Sequence, residues 1–335
     1  MTLSELPPRP PSIDPELLRR GLDHVLEKTH FPELGRRFEG KVRDSYRTRN
    51  HRRVLITTDR VSAFDQRAGT LPFKGQVLNE LTYWWLEKTR DLVPNALLEV
   101  PDPNVMVCRE CEVFPVEFVV RAYLTGITST AIWTLYERGQ RSFGGITLPE
   151  RMHKHQRLPQ LLLTPTTKAA EGGHDKPASR EALIASGRIS ARDFDRAAEL
   201  AMTLFHEGER ICAERGLLLV DTKYEFGKTE QGEIVVVDEV HTPDSSRFWY
   251  RRSYEERFAQ GKDPEPLDKE YLRRWMASRR DPVSGTIPAV PDEVRLEAAQ
   301  RYIEACSLIC GLPFRPNLEE PTSRIRRNLK LASTP

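Results

Sequence analysis

Charged side chains alternate along the segment 217–240 in a spacing that could hold a metal ion. Asp221, Lys223 and Glu225 lie two residues apart, and side chains of a strand alternate between its faces, so all three project from the same face. Carboxylates beside continuous apolar runs need a cation, and Mg²⁺ is held by one or two carboxylates plus water and phosphate oxygens. We predict Glu225 and Asp238 as Mg²⁺ ligands, with Lys223 near a phosphate or a substrate carboxylate.

The metal prediction depends on how two strands of this segment pair. Apolar runs at 217–220 and 234–237 flank a polar loop with two glycines, which is typical of a hairpin or a looped antiparallel pair. Glu225 and Asp238 share a face only if the paired residues sum to an odd number, and a slip of one residue would present Glu239 instead. A solvated sheet face without chemistry is the alternative that alternation alone leaves open.

Basic residues in two other predicted strands are candidates for binding anions. Gly40 is followed by Lys41 and Arg43, which indicates either a phosphate contact or an ordinary edge strand in which the glycine marks a bulge. Arg121 lies near the end of an apolar strand, on the same face as Glu117. It is either the ion-pair partner of that carboxylate or a guanidinium fork that receives a carboxylate or phosphate.

Hydroxyl groups and two loops complete the set of candidates. The segment 126–130 precedes a helix, where hydroxyls can cap backbone N–H groups and where the same N–H groups can bind an anion. Lys168 follows an apolar run, and the glycine-containing loop after it has the composition of an active-site loop. In that loop, Asp175 is a candidate acid, base or substrate clamp. Arg247 lies in a polar turn after the second strand and is well placed for a second anionic group.

Local patterns predict the elements that would position these residues. Asp14 before Pro15 predicts a helix start, and Ser190 with Asp193 predicts the cap of a long amphipathic helix leading into residue 217. Strands dominate to about residue 120 and helices thereafter, apart from the apolar run 161–166 and the strand pair of 217–240. The predicted organisation is an N-terminal arm (1–14), a nucleotide-clamp sheet lobe (15–120), a metal and substrate lobe (121–255) and a helical C-terminal extension (256–335).

Composition restricts the classes of function. The 335 residues are 39% hydrophobic, with 51 Lys and Arg against 49 Asp and Glu, so a net charge of +2 gives no argument for nucleic acid or an acidic membrane as a partner. We find no apolar run of the ~20 residues that span a bilayer and no secretion signal, and we expect a cytoplasmic protein. Five cysteines argue against a disulfide framework. Cys108 and Cys111 have the spacing of half a zinc site, but a matching second pair is missing.

Taken together, these residues resemble the SAICAR synthetase (phosphoribosylaminoimidazole-succinocarboxamide synthase) family. The similarity extends from about residue 38 to about residue 250. The blocks that carry it are, in order, 40–44, 58–65, Lys74 with Gly75, 119–121, 126–130, His174 with Asp175, 221–227, Asp238 with Glu239, and 244–247.

The resemblance implies both a fold and a reaction. The fold is α+β, with an antiparallel N-terminal sheet lobe that closes over a larger ATP-grasp-like α/β lobe and a helical C-terminal extension. The reaction is the joining of L-aspartate to carboxyaminoimidazole ribonucleotide (CAIR), in which ATP and Mg²⁺ are used and the ribonucleotide passes through an acyl phosphate. The partners implied are therefore small molecules, and the oligomeric state stays open.

The resemblance also implies roles for individual residues. The turn 126–130 departs from a shorter Gly-Ser turn, so Thr128 or Thr130 could replace Ser129. The implied sets are Gly40, Lys41, Arg43 and Lys223 at ATP, Glu225 and Asp238 at Mg²⁺, Arg121, Ser129, Lys168, Asp175 and Arg247 at the substrates, and Lys41, Lys223 and Asp175 in catalysis.

Two other functions compete with this reading. A small-molecule kinase would need the same glycine-bearing sheet, lysine and metal carboxylates. A module that binds single-stranded RNA would need a basic surface with exposed aromatic residues, whereas the net charge is small and Trp84 and Trp85 lie on an amphipathic helix.

Overall fold

The computed structural model describes residues 13–63, 66–168, 176–267, 269–279 and 288–331, and they form an α+β fold. The strands of these ranges pair antiparallel in every ladder. The combination of antiparallel sheets with helices expected from the sequence is confirmed. Within these ranges, helices long and apolar enough to cross a lipid bilayer are absent.

A five-stranded sheet and a hairpin form the N-terminal part of the fold. Their strands are β1 (Arg36–Glu39), β2 (Arg43–Arg47), β3 (Arg52–Thr57), β4 (Arg60–Ala63), β5 (Gln66–Thr70), β6 (Leu97–Asp102) and β7 (Val105–Arg109). The hairpin is β4 with β5, and the sheet order is β1-β2-β3-β7-β6. On β3, Val54 and Ile56 enter a small apolar core, and Leu55 projects from the opposite face because strand side chains alternate.

A seven-stranded sheet forms the centre of the molecule. The remaining strands are β8 (Glu112–Tyr123), β9 (Ser142–Phe143), β10 (Ile146–Thr147), β11 (Arg157–Leu163), β12 (Thr166–Thr167), β13 (Lys176–Pro177), β14 (Leu217–Lys228), β15 (Ile234–Val236) and β16 (Ser246–Tyr250). β9 and β10 form a separate hairpin, and β14 pairs with β8, β15 and β16. The last strand of the small sheet ends at Arg109, and the first strand of the large sheet begins at Glu112. The predicted lobe boundary at residue 120 lies within β8. The domain limits stay a prediction.

Nine α-helices in the described ranges cover and connect these sheets. They are α1 (Pro15–Arg20), α2 (Lys74–Lys88), α3 (Ile132–Glu137), α4 (Arg180–Ala185), α5 (Ala191–Glu214), α6 (Arg251–Ala259), α7 (Glu270–Arg279), α8 (Asp292–Cys310) and α9 (Pro321–Asn328). The two predicted caps are confirmed. Asp14 accepts a hydrogen bond from the Glu16 N–H at 2.9 Å, and Ser190 accepts one from the Asp193 N–H at 3.1 Å.

The long helix α5 holds one face of β14 in the main core. Phe118 on β8 lies 5.2 Å from Phe194 of α5 and 5.4 Å from Phe226 of β14, measured between ring centroids. Because strand side chains alternate, burial of Tyr224 and Phe226 against this core turns the odd-numbered residues of β14 to the other face. That face carries the charged residues singled out in the sequence.

The C-terminal segment reaches back to the N-terminal sheet. Helix α8 packs on α2, and the following helix α9 places Ile325 in the small core with Phe31. The fully buried Arg324 donates from Nε to the buried Asp102 carboxylate at 2.9 Å and from Nη2 to Asn104 at 2.5 Å. The end of the chain therefore fastens the turn between β6 and β7.

We predict that Arg324→Ala lowers the free energy of unfolding by about 3–5 kcal/mol, because it leaves the Asp102 carboxylate buried without its cation. Arg327 on the same helix pairs with Glu319 at the surface, so Arg327→Ala is the matched control and is expected to change the stability far less than Arg324→Ala. Urea unfolding of both variants makes the comparison. Equal losses in the two variants would contradict the role given to the buried pair.

Candidate active site

A cleft of about 940 Å³ lies between the small sheet and the charged face of β14. Its walls come from the loop between β1 and β2, from β8 and β14, from the turn before β16, and from the start of α7. Nine of the predicted site residues line it: Gly40, Lys41, Arg43, Arg121, Lys168, Lys223, Glu225, Asp238 and Arg247.

The ammonium group of Lys223 lies at the centre of the cleft between three carboxylates. Its Nζ is 2.5 Å from Glu225, 3.2 Å from Glu117 and 3.9 Å from Asp238. Burial acts to lower the pKa of Lys223, but the charges of Glu225, Glu117 and Asp238 raise it well above its usual value. The pKa of Glu225 is raised by burial and lowered by Lys223 and Lys168, with the balance at about 2. Both groups are therefore charged at neutral pH.

Asp238 reaches this centre by a route that differs from the sequence argument. Phe226 pairs with Val236, an even register, which would turn residue 238 away from the Glu225 face if β15 continued. However, β15 ends at Val236, and after the Val237 N–H donates to the Glu225 carbonyl at 3.1 Å the chain bends. The odd register that the metal prediction required is not formed. Both carboxylates nevertheless lie beside the ammonium group of Lys223.

The glycine loop between β1 and β2 is closed by a backbone hydrogen bond and held in place by the side chain of Arg60. The Gly40 N–H donates to the Arg43 carbonyl at 2.7 Å, and a Cβ on Gly40 would lie 2.9 Å from that oxygen, so the close approach requires glycine. The buried Arg60 donates to the carbonyls of Gly40 at 2.9 Å and Lys41 at 3.2 Å, and pairs with Asp44 at 2.8 Å. Sequence reasoning did not assign Arg60 a role, although it lies inside a block that carries the family resemblance.

Arg43 joins the glycine loop to the acidic centre. Its guanidinium pairs with Asp238 and lies 2.9 Å from Glu239. Burial acts to lower the pKa of Arg43, and the charges of Asp238 and Glu239 more than reverse this and raise it. Lys41 projects from the same loop, is exposed, and lines the cleft. Arg43 thus joins the loop predicted to lie over phosphates to Asp238, one of the two predicted metal ligands.

Two arginines converge on one carboxylate at the other end of the cleft. Arg121 donates to Asp221 at 3.2 Å and to the Thr164 hydroxyl at 2.8 Å, and Arg247 donates to the same Asp221 oxygen. The pairing of Arg121 with Glu117, left open by the sequence, is not the one formed. Burial is the largest cause of a lowered pKa of Arg121; Asp221 opposes this, and Arg247 adds to it. Two guanidinium groups beside one carboxylate leave a net positive charge, which suits an anionic ligand.

The remaining predicted residues occupy different positions. Gly126 has φ +105°, and its Cβ would lie 2.6 Å from Ala131, so this turn requires glycine. Thr128 lines a second cavity, of about 230 Å³, that also includes Arg247, whereas Ser129 is exposed and is not among the residues that line either cavity. Lys168 pairs with Glu225. Asp175 lies outside the described residues, and the roles of these residues stay predictions.

The sequence interpretation missed the contribution of the C-terminal segment to the cleft. Lys269 and Arg273, at the start of α7, line the same cleft as Arg247, in a segment for which the sequence predicts no site residue. Lys269 donates to the Asp244 carbonyl at 2.6 Å, and its pKa is lowered chiefly by burial. A charged helix face has the same pattern whether it faces solvent or a cleft, so periodicity could not have singled out these residues.

Comparison with known proteins identifies the family of the chain. A sequence model described as SAICAR synthetase matches residues 36–290. The chain belongs to the SAICAR synthetase family. The match ends before α8 and α9, which lie in the C-terminal segment.

Individual SAICAR synthetase relatives align along most of this chain. A phosphoribosylaminoimidazole-succinocarboxamide synthase of Legionella pneumophila (strain Lens) is 46% identical over 290 residues, which cover 86% of this chain and 92% of the relative. A chloroplastic synthase of Arabidopsis thaliana is 45% identical over 322 residues, covering 94% and 78%. The SAICAR synthase of Saccharomyces cerevisiae, solved in complex with SAICAR, superimposes with a TM-score of 0.72 at 28% identity and covers 86% of this chain and 99% of its own. A small-molecule kinase is not favoured by these relatives.

The acidic centre of this chain fits a hard divalent cation. Its donors are carboxylate oxygens, and Glu225 is ionised because its pKa is about 2. Within the described ranges, the one set of three mutually close ligand atoms from His, Cys, Asp or Glu belongs to Glu80, Cys306 and Cys310, away from the cleft. The cleft thus offers few protein ligands. Mg²⁺ suits such a site because it keeps several waters and takes other ligands from phosphates.

We predict that the stabilising effect of Glu225 disappears in acid. Its folded pKa of about 2 lies below the usual 4.5, so its contribution is fully present above 4.5 and is lost as pH falls toward 2. The difference in unfolding free energy between wild type and Glu225→Gln should therefore shrink over this range. Urea unfolding at a series of pH values measures this difference. The other carboxylates are present in both proteins, so their titration largely cancels in the comparison. A constant difference would show that Glu225 is not held ionised by its lysines.

Proposed function

We propose that this chain is the ATP-dependent ligase of de novo purine biosynthesis that joins L-aspartate to CAIR and yields SAICAR, ADP and phosphate. The observation that carries the proposal is the cleft itself. It combines an acidic centre around Lys223, a glycine loop above that centre and a pair of arginines at one end. Family membership along most of the chain supports the same reaction.

The chemistry explains why such a cleft needs both signs of charge. A carboxylate does not form an amide with an amine at neutral pH, because its leaving group would be oxide. In the proposed first step a carboxylate oxygen of CAIR attacks the γ-phosphorus of ATP, the bond to ADP breaks, and an acyl phosphate forms. In the second step the aspartate amine attacks the acyl carbon, phosphate leaves, and the amine loses a proton. Neutralising the phosphoryl charge is the main requirement of the first step.

Residues of the glycine loop and of β14 would bind the nucleotide. We assign Gly40, Lys41 and Arg43 to the ATP phosphates, with Lys41 and Lys223 as the cations that offset developing charge. The apolar side chains of Leu55 and Ala96 line the same cleft and offer a surface for a base ring. In this assignment the Arg43 guanidinium would give up part of its ion pair with Asp238 and bind a phosphate oxygen of ATP instead.

Glu225 and Asp238 are the residues that would hold Mg²⁺. When bound, the ion would neutralise the phosphate oxygens and orient them for in-line transfer. The two carboxylates are already oriented by Lys223, Lys168 and Arg43, so positioning them needs little rearrangement of the backbone. Lys168 would then be released from Glu225 to contact substrate.

The arginine end of the cleft would hold the ribonucleotide. Arg121 and Arg247 offer planar forks that match the phosphate and carboxylate of CAIR, and Lys269 and Arg273 lie beside them. One of the hydroxyls of Thr128, Ser129 and Thr130 is proposed to assist. We assign Asp175 to the contact with the substrates. This arrangement also explains why a protein of net charge +2 concentrates basic residues in one cleft.

The cellular setting is proposed from the cysteines. All five are free thiols, and four of them are buried. Structural thiols that stay reduced are typical of a reducing compartment, which supports the expectation of a cytoplasmic enzyme.

Release of phosphate with each substrate omitted in turn tests the reaction. We predict that phosphate appears only when ATP, Mg²⁺, CAIR and aspartate are all present, because the acyl phosphate is consumed by the aspartate amine. A kinase would instead convert ATP to ADP with one acceptor and release no free phosphate. Rapid phosphate release without aspartate, or ADP formation with a hydroxyl acceptor alone, would contradict the proposal.

A further inference from the structure

Asp244 lies in the turn that leads into β16, three residues before Arg247. Its side chain is 8% exposed at the edge of the cleft. Each carboxylate oxygen has its own buried partner: Lys74 at the start of α2 lies 2.7 Å from Oδ2, and the Tyr302 hydroxyl of α8 donates to Oδ1 at 2.5 Å. Lys74 and Tyr302 are themselves buried, at 0% and 1% exposed. The carboxylate is therefore fixed from two helices that lie outside the sheet.

The turn that carries Asp244 is joined to both functional parts of the cleft. The Ser245 carbonyl accepts a hydrogen bond from the backbone N–H of Lys223 at 3.0 Å. The Thr242 hydroxyl donates to Glu239 at 2.7 Å, and Glu239 in turn contacts Arg43. These contacts do not involve Tyr302 and hold the turn against the acidic centre, so loss of the Tyr302 hydrogen bond is expected to shift Asp244 and Arg247 more than that centre.

Charge explains why the turn needs a neutral donor on α8. Burial acts to raise the pKa of Asp244, but Lys74 and Lys269 lower it below its usual range, so the carboxylate is ionised. Lys74 occupies one oxygen, and its Nζ lies 5.8 Å from the centre of the Tyr302 ring. The phenol hydroxyl of Tyr302 donates a hydrogen bond to the second carboxylate oxygen without adding a third positive charge to those of Lys74 and Lys269. Hydrogen bonds to charged groups are among the stronger ones in proteins.

We propose that Tyr302 is a positioning residue for the ribonucleotide: through Asp244 it sets the place of Arg247 at the anion-binding end of the cleft. The inference rests on the proposed function for the identity of the ligand. It assigns a role to α8, which lies beyond the residues matched by the family model. Tyr302 is buried and its hydroxyl bonds to Asp244, so in this role it acts through the turn and not on the substrate directly.

Steady-state kinetics of Tyr302→Phe test this role. The substitution keeps the buried ring and removes only the hydroxyl group. We expect KM for CAIR to rise roughly tenfold, because one hydrogen bond to a charged group is lost, while KM for ATP and kcat stay within about twofold. A merely structural role would not separate the two substrates in this way.

Tyr250→Phe is the matched control. Tyr250 on β16 bonds through its hydroxyl to Glu304 of the same helix α8, and it does not contact Asp244 in the described structure. Removing the Tyr250 hydroxyl also weakens the packing of α8, but at a contact with β16 and not with Asp244. We therefore expect Tyr250→Phe to lower stability without raising KM for CAIR. A rise in KM for CAIR of equal size in both variants would overturn the inference.

Calorimetric titration with CAIR in the absence of ATP separates this inference from the proposed reaction. We expect Tyr302→Phe to bind CAIR roughly tenfold more weakly than wild type. Equal affinity of the two proteins would overturn the inference and leave the reaction intact. A wild-type chain that bound CAIR but formed no SAICAR would overturn the reaction and leave the inference standing. A wild-type chain without affinity for CAIR would overturn both.

Discussion

The central constraint on this fold is the placing of several carboxylates around one lysine on a single strand face. Glu225 and Glu117 lie opposite each other on β14 and β8, and like charges in that position repel. Lys223 between them makes the arrangement stable, with Lys168 and Arg43 as further cations at its edges. These contacts orient the acidic side chains, and the lysines lower the pKa of Glu225 so that it is ionised. In the proposed function, Glu225 and Asp238 would exchange a protein cation for a metal ion.

The cleft also depends on parts of the chain that are distant in sequence. Arg60 fixes the glycine loop from behind, and α9 fastens the neighbouring β6–β7 turn through Arg324 and Asp102. Helix α8 reaches the opposite end through Tyr302 and Asp244. The C-terminal helices therefore contact the small sheet through α9 and the turn before β16 through α8.

Local patterns were sufficient to predict much of this structure. Period-two alternation placed Asp221, Lys223 and Glu225 on one face, since burial of Tyr224 and Phe226 leaves no other orientation. The cap at Ser190 and the long helix after it followed from local hydrogen bonding and apolar spacing. Such features depend on neighbours within a few residues, and for them the sequence carries the full signal.

Other features depend on tertiary contacts that no local pattern records. The place of Asp238 depends on where β15 ends, after three residues, and the parity argument assumed a longer strand. Arg43 meets Asp238 across 195 positions of the chain. Lys269 and Arg273 lie on a helix whose charged pattern is the same as that of a solvated helix. Tyr302 lies in the helical C-terminal extension, for which the sequence predicts no site residue.

Binding of Mn²⁺ in the presence of ADP tests the central claim most directly. Electron paramagnetic resonance reports how much Mn²⁺ the protein retains, independently of turnover. We predict ADP-dependent retention in the wild type and in Glu233→Gln, an exposed carboxylate on the same strand pair that contacts Arg109. Retention should be lost in both Glu225→Gln and Asp238→Asn. If both of these variants bound Mn²⁺ with ADP as tightly as the wild type, the carboxylates around Lys223 would not be the metal-binding centre, and the account would be contradicted.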